Sequence, residues 1–215
     1  MTKPRSVRQP TVDCDPPARG ACNMAPVRGL WFATQAGMNS IDANQPEANR
    51  DNLEGEKAVS KIQELVNKAE TCFFCTGIRS GAMVPTRPMA VQKVDDAGRL
   101  WFLSASDSHH NADIARDPAV QLMFQGAPHS DFLTLYGRAE VSRDPEHIEA
   151  LWEPILKTWF TEGKDDPRIT VICVTPTSGY YWDTKHNPAV AMAKMVIGAV
   201  TGTTLDDSVE GTLRV

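Results

Sequence analysis

The chain is predicted to be a mainly β protein, a small antiparallel barrel of six short strands with a few helices. Three observations carry this. Six short apolar runs rich in β-branched and aromatic residues are spaced along residues 72–174, with Gly-bearing turns between the first of them. Two helices interrupt the strands instead of alternating with them, which argues against a doubly wound parallel sheet. Neither G-x-G-x-x-G after a strand nor G-x-x-x-x-G-K-[ST] occurs, so Rossmann and P-loop readings fail.

The elements follow in order. Val59, Ile62, Leu65, Val66 and Ala69 share a helical face opposite Glu and Lys, which predicts a first helix. Strands are expected at Cys72–Ile78, Val84–Val94, Arg99–Ser104, Val120–Phe124, Phe132–Val141 and Ile169–Val174. Gly81 and Gly98 sit in the two reversals that join the first three. Pro85 and Pro88 cannot donate ladder bonds, so the second strand belongs at an edge or carries a bulge, leaving backbone free for a ligand. A short helix, His109–Arg116, stops at Asp117-Pro118. A longer one, Asp144–Phe160, opens with an Asp cap and Pro145 at the first helical position. The apolar stretch Val190–Val200 is read as a last helix against the barrel or a partner.

Residues 1–54 hold six of the fifteen prolines and show no period, so they are expected to be a disordered leader, with Met38 opening a more ordinary N-terminus. The domain is placed at 55–205, and 206–215 is left as a tail.

With 215 residues the chain holds one full-sized domain, and its formal charge of -5 offers no basic excess for nucleic acid. No apolar run approaches the length of a membrane span, and Gly29–Ala33 is too short for a secretory signal. Five scattered cysteines form no disulfide framework and suit a reducing compartment, so a cytoplasmic location is expected. Cys72 and Cys75 lie three apart in a strand, on opposite faces, and are read as core residues rather than a thiol or metal pair. His109, His110 and Asp113 could face one another on a helix, but a solvated helix start explains them more simply. No metal site is expected.

The segment Arg87–Phe124 carries the chemistry. Arg87 in a strand offers a forked, permanent cation. Ser104, Ser106 and Ser108 add hydroxyls near the positive start of a helix, a combination suited to a phosphate. Met89 with Trp101 or Phe102 could form an apolar slot for a flat ring. A salt-bridged Arg beside an ordinary helix cap remains the alternative. Neither a nucleophile–base pair nor twin carboxylates stand out, so no catalytic residue is assigned.

The ordered set of segments resembles the pyridoxamine 5'-phosphate oxidase-like FMN-binding split barrels, and among them the general stress protein 26 branch. The matching pieces are Arg87-Pro88-Met89, Leu100 to Ser104, Ser106 to His110, Asp117 to Val120, Tyr136 to Glu140, Ile148 to Trp152 and Tyr180 to Asp183. The resemblance covers about residues 55–205 and implies a six-stranded antiparallel split β-barrel. It implies FMN, or the larger FAD, with Arg87 on the phosphate or ribityl chain and Pro88, Met89 and Ala90 along the isoalloxazine. Leu103 and Ser104 would lie on the second strand under the cofactor. Ser108, His109 and His110 would form the phosphate-binding helix start. Trp182 would reach the flavin of the other subunit, making the protein a homodimer with flavin at the interface.

Two departures matter. Where the family usually has lysine, this chain has His110, so flavin affinity is expected to be weaker or pH-dependent. Asp183 to Pro188 lack the Arg-x-His of true pyridoxamine phosphate oxidases, so vitamin B6 oxidation is not expected. The implied function is a flavin-dependent oxidoreductase tied to general stress. A non-catalytic flavin store or sensor is the alternative, and a structural dimer with a vacant or haem-filled pocket is a third.

Overall fold

The structure, a computed structural model, describes residues 49–128, 130–185, 194, 197 and 207–215. Helix α1 (Glu56–Ala69) buries Ala58, Ile62, Leu65 and Val66 on one face and ends at Glu70, whose N–H returns to the Val66 carbonyl. Strand β1 (Leu53–Glu54) precedes it. The following strands are β2 (Thr71–Cys75), β3 (Thr86–Ala90), β4 (Lys93–Val94), β5 (Leu100–Ala105), β6 (Ala119–Gln125), β7 (Phe132–Ser142), β8 (Ile169–Thr184) and β9 (Ser208–Arg214). Helix α2 (His109–Arg116) falls between β5 and β6, and α3 (Pro145–Leu151) between β7 and β8.

The pairings close a ring. β2 pairs with β3 and β6, β6 with β7, β7 with β8, and β8 with β5, all antiparallel. β4 then pairs with β5 and runs on from β3 after a two-residue break. Six wall positions result, one shared by β3 and β4. This is the split barrel: the second wall strand leaves β2 and joins β5 partway along its length. Phe74, Phe102, Leu122, Leu133, Leu135 and Ile172 fill the interior with the apolar face of α1. A second cluster lies on the other face of β5 and β8, where Trp101, Leu103, Ile169 and Val171 meet Leu151, Leu156 and Phe160.

Several expectations change. The single strand Val84–Val94 is two short strands, because its two halves bond to different neighbours. The strand expected to end at Val174 continues to Thr184. Thr175–Gly179 has turn composition, yet the chain continues there without reversing, Thr177 being the extra residue of a bulge opposite Tyr136/Gly137. Gly137 allows that approach, since a Cβ there would lie 2.4 Å from the Thr175 carbonyl oxygen. The helix Asp144–Phe160 stops at Leu151, and Pro154 restarts the chain as a short 3-10 turn, Pro154–Thr158. A proline there has no N–H for the helix and disfavours helical backbone before it.

The boundaries also move. Ser208–Arg214, left outside as a tail, is β9 and pairs along the second half of β8. Leu53–Glu54, assigned to the leader, pairs in parallel with β9. Gly211 lets this segment cross close by, for a Cβ there would lie 1.8 Å from the Asp51 carbonyl oxygen. Residues 1–48 and nearly all of the proposed helix Val190–Val200 lie outside the described residues. Among the described residues no helix is long and apolar enough to cross a membrane.

Candidate functional site

Antiparallel strands turn successive residues' backbone groups to alternate sides, so known bonds locate the free ones. On β3, the Pro85 carbonyl accepts from Thr76 N–H at 3.1 Å, and Val91 N–H reaches the Glu70 carbonyl at 2.9 Å. Odd-numbered residues therefore bond toward β2. Thr86, Pro88 and Ala90 turn their backbone the other way, where Gln92 N–H meets the Trp101 carbonyl at 2.8 Å. On β5, the Trp101 carbonyl and the Ala105 carbonyl, which accepts from Ser108 N–H at 2.9 Å, face that same gap. Leu103, between them, must present its N–H and C=O there too. No strand among the described residues fills the gap between the two edges.

The side chains sort by the same alternation. Arg87 and Met89 lie opposite Phe74 and Cys72, on the inner face, and Met89 touches the core. Pro88 and Ala90 are exposed on the outer face beside Phe73. Leu103 is buried in the second cluster, so only its backbone is available to the gap.

At the α2 end, Arg87 is already engaged. Both of its terminal nitrogens stand 3.2 Å from Asp113 Oδ2, and Nη1 also donates to Thr76 Oγ1 at 3.2 Å. Thr76 donates to that same Oδ2 at 2.8 Å. The Thr76 hydroxyl, together with the guanidinium, holds the Asp113 carboxyl below the usual carboxylate range. Of the two readings of Arg87 left open by its residue type, the ion pair is thus present in the chain itself.

Ser108 caps α2, accepting from Asn111 N–H, and its hydroxyl lies 2.9 Å from that of Ser104. Asn111 Nδ2 donates to Thr170 Oγ1 at 2.9 Å, and Thr170 donates to the Ser104 carbonyl at 2.9 Å. His109 is exposed, whereas His110 turns inward, only 6% exposed, its ring edge-on to Phe74 at 5.2 Å. Burial, and then the nearby Arg87 charge, push the His110 pKa down to about 4, so the imidazole is neutral at pH 7. Its Nε2 is buried with no hydrogen-bond partner, as is Asn111 Oδ1. Such atoms are rare in completed cores and fit a ligand or water not belonging to the chain. No three His, Cys, Asp or Glu among the described residues are grouped to hold a metal.

Trp182 stands elsewhere. It is 45% exposed and pairs with Phe132 across β7 and β8. With Pro128, Thr134 and Tyr180 these two line an open groove of about 470 Å³. In register, Ala90 faces Thr71, and Trp182 lies four strand steps along the curved wall from Ala90, beyond β2, β6 and β7. One chain therefore brings Arg87 to Ala90 and Leu103 to two unpaired strand edges and Ser104, Ser108 and His110 to the adjoining start of α2, while Trp182 lies in the groove with Phe132.

Sequence reasoning missed Thr76, Asn111 and Thr170, and read Asp113 only as a metal alternative. A lone Thr after an apolar run or an Asn inside a short helix carries no signal until the wall closes. His147 stacks on Trp101 at 4.6 Å and lies 2.7 Å from Asp144 Oδ2, a pairing that residue type alone does not announce.

Residues 57–206 match the family described as Pyridoxamine 5'-phosphate oxidase like. The chain is 25% identical over 126 residues to Protein bli-3 of Neurospora crassa, covering 54% of this chain and 60% of that protein's length. Among solved structures it is similar to a candidate general stress protein 26 from Jannaschia sp. CCS1, with a TM-score of 0.63 and 22% identity over 73% of this chain and 97% of that one. It is also similar to the general stress protein 26 of Bacillus anthracis, with a TM-score of 0.50 and 20% identity over 57% of this chain and 92% of that one. At these identities the solved structures establish the barrel fold.

Proposed function

Because the chain belongs to the pyridoxamine 5'-phosphate oxidase like family, we propose that it binds FMN in the split between β3 and β5 and works as a flavin-dependent oxidoreductase of the general stress kind. The facing, unpaired backbone edges carry this reading. A flat ring with carbonyl and ring-nitrogen groups is what such edges can hydrogen-bond on both sides. The orphaned Nε2 of His110 fits the same occupant, and FAD could enter only if its second nucleotide projected outward.

The chain's own groups have separate tasks. Thr86, Pro88, Ala90 and Leu103 offer backbone acceptors, with N–H donors at all but Pro88, which has none. Arg87 and the start of α2 stand at the anion end. Met89 and Phe74 keep the inner side apolar. Bound flavin supplies hydride acceptance and donation itself, so the absence of an acid–base pair is no obstacle. Asp183 to Pro188 lack the arginine expected of a pyridoxamine phosphate oxidase, which argues for another substrate.

A homodimer completes the site in this proposal. Phe73, Phe132, Tyr136, Tyr180 and Trp182 are exposed on the outer sheet face, an apolar surface that a second copy would cover. Trp182 could then approach its partner's split. A cytoplasmic site of action, with small-molecule donors and no nucleic acid or membrane, belongs to the same proposal.

Arg87→Ala tests it. FMN affinity, followed by flavin fluorescence quenching, is expected to fall about ten- to a hundredfold, because removing the guanidinium leaves the Asp113 carboxylate uncompensated beside the phosphate. Unchanged affinity would remove the split as the binding site. Turnover of NAD(P)H by the flavin-loaded protein separates an oxidoreductase from a flavin store or sensor.

A further inference from the structure

We infer that the anion end of the split is charge-compensated, and that Asp113 sets it to distinguish little between FMN and unphosphorylated riboflavin. The inference rests on the flavin reading above.

Arg87 is the guanidinium that β3 carries on its inner face, and its charge is already met. Asp113 Oδ2 takes both terminal nitrogens of Arg87 and the hydroxyl of Thr76. Thr76 is fully buried, so Asp113 cannot swing aside for an arriving phosphate without stranding that hydroxyl. Arg116 touches the other carboxylate oxygen at 3.6 Å, but its side chain is 79% exposed and its charge is screened by water. His110 adds a neutral ring wedged against Phe74. The hydroxyls of Ser104 and Ser108 are bonded to each other.

A phosphate therefore meets a cation held by an anion, a neutral imidazole and a pair of hydroxyls that keeps one O–H for the bond between them. The ring meets free backbone donors and acceptors, identical for FMN and riboflavin. Most of the selectivity then lies with the ring, and Asp113 is the residue that withholds a phosphate preference.

The test titrates the full chain, freed of flavin, with FMN and with riboflavin, at about 50 mM and about 500 mM salt. The two affinities are expected to agree within about tenfold, with FMN weakening less than about threefold at the higher salt. Asp113→Asn keeps an acceptor for Thr76 while removing the charge. It should tighten FMN at least about tenfold, leave riboflavin within about threefold, and steepen the salt dependence of FMN. A wild-type preference for FMN of about a hundredfold or more would overturn the inference while leaving the flavin reading intact. So would an unchanged ratio in folded Asp113→Asn. Should that variant not fold, the wild-type ratio and salt response decide alone. Binding of neither flavin would overturn the flavin reading, and this inference with it.

Discussion

Where α1 meets the sheet, Lys61 bridges Glu64 at 2.6 Å and Asp183 at 3.1 Å, while Lys68 bridges Glu64 and Asp131 at 2.9 Å each. Where α2 meets it, Arg87 bridges Asp113, but His110 Nε2 and Asn111 Oδ1 have no partner. Both clusters join a helix to the sheet through charged and polar groups, with one buried member, Asp183, in the first. In the first, each carboxylate has a lysine, and the Asp183 side chain also accepts from Thr184 N–H. In the second, the pairing is incomplete at two buried atoms of α2. A satisfied network holds a helix in place, and a network with buried orphans marks where something else is received.

The largest effect expected from this contrast is on folding at α1. Asp183 is 3% exposed, and Asp183→Ala would leave Lys61 without its buried partner. A loss of about 3 kcal/mol in urea unfolding is expected. A loss below about 1 kcal/mol would show that the α1 cluster is no more structural than the α2 cluster.

Next comes the pH response of α2. The folded His110 pKa of about 4 lies below the ordinary value of 6.5. Between those values the unfolded chain binds a proton that the folded chain refuses. Stability from this group is thus present above pH 6.5 and lost as pH falls toward 4, by about 2–3 kcal/mol. His110→Leu should remove that part of the slope, measured as the difference between the two proteins' unfolding free energies at each pH. Identical slopes would place His110 in contact with solvent.

The quaternary prediction concerns the outer face. Light scattering on the flavin-loaded protein should give twice the 23.6 kDa chain mass. A monomer that still held FMN tightly would end the shared role of Trp182.

The smallest effect is at the cap. Ser108→Ala removes the acceptor for Asn111 N–H and should cost about 1 kcal/mol of stability. It also frees the Ser104 hydroxyl, so FMN affinity should change by less than about fivefold. A larger loss would make Ser108 a principal phosphate donor and weaken the contrast between ring and phosphate ends.

Much of the barrel was legible along the chain. The helix His109–Arg116 matches its observed bounds, because its serine cap and its Asp117-Pro118 stop are local signals. Pro88 correctly marked β3 as an edge, since a missing N–H is a property of one residue. The continuation of β8 through Thr175–Gly179 was not legible, for its turn-like residues are kept in the sheet by pairing with β7, joined by β9 only from Ser178 onward. β9 was equally hidden, because Ser208–Arg214 gains its apolar environment only by lying beside β8. At the site, Arg87, Pro88, Ala90 and Leu103 could be nominated from the chain, while Thr76, Asn111 and Thr170 could not.

Sequence by itself determined the family, the antiparallel strands and the strand arginine. Those are properties of residue type, order and short-range period. Only the tertiary structure decided that Arg87 is held by Asp113, that His110 is buried and neutral, and that Trp182 lies across the sheet from the split. Each depends on which strands become neighbours when the ring closes. Charge compensation and burial depend on distances between residues such as Thr76, Arg87 and Asp113, which sit far apart along the chain and meet only in the folded wall.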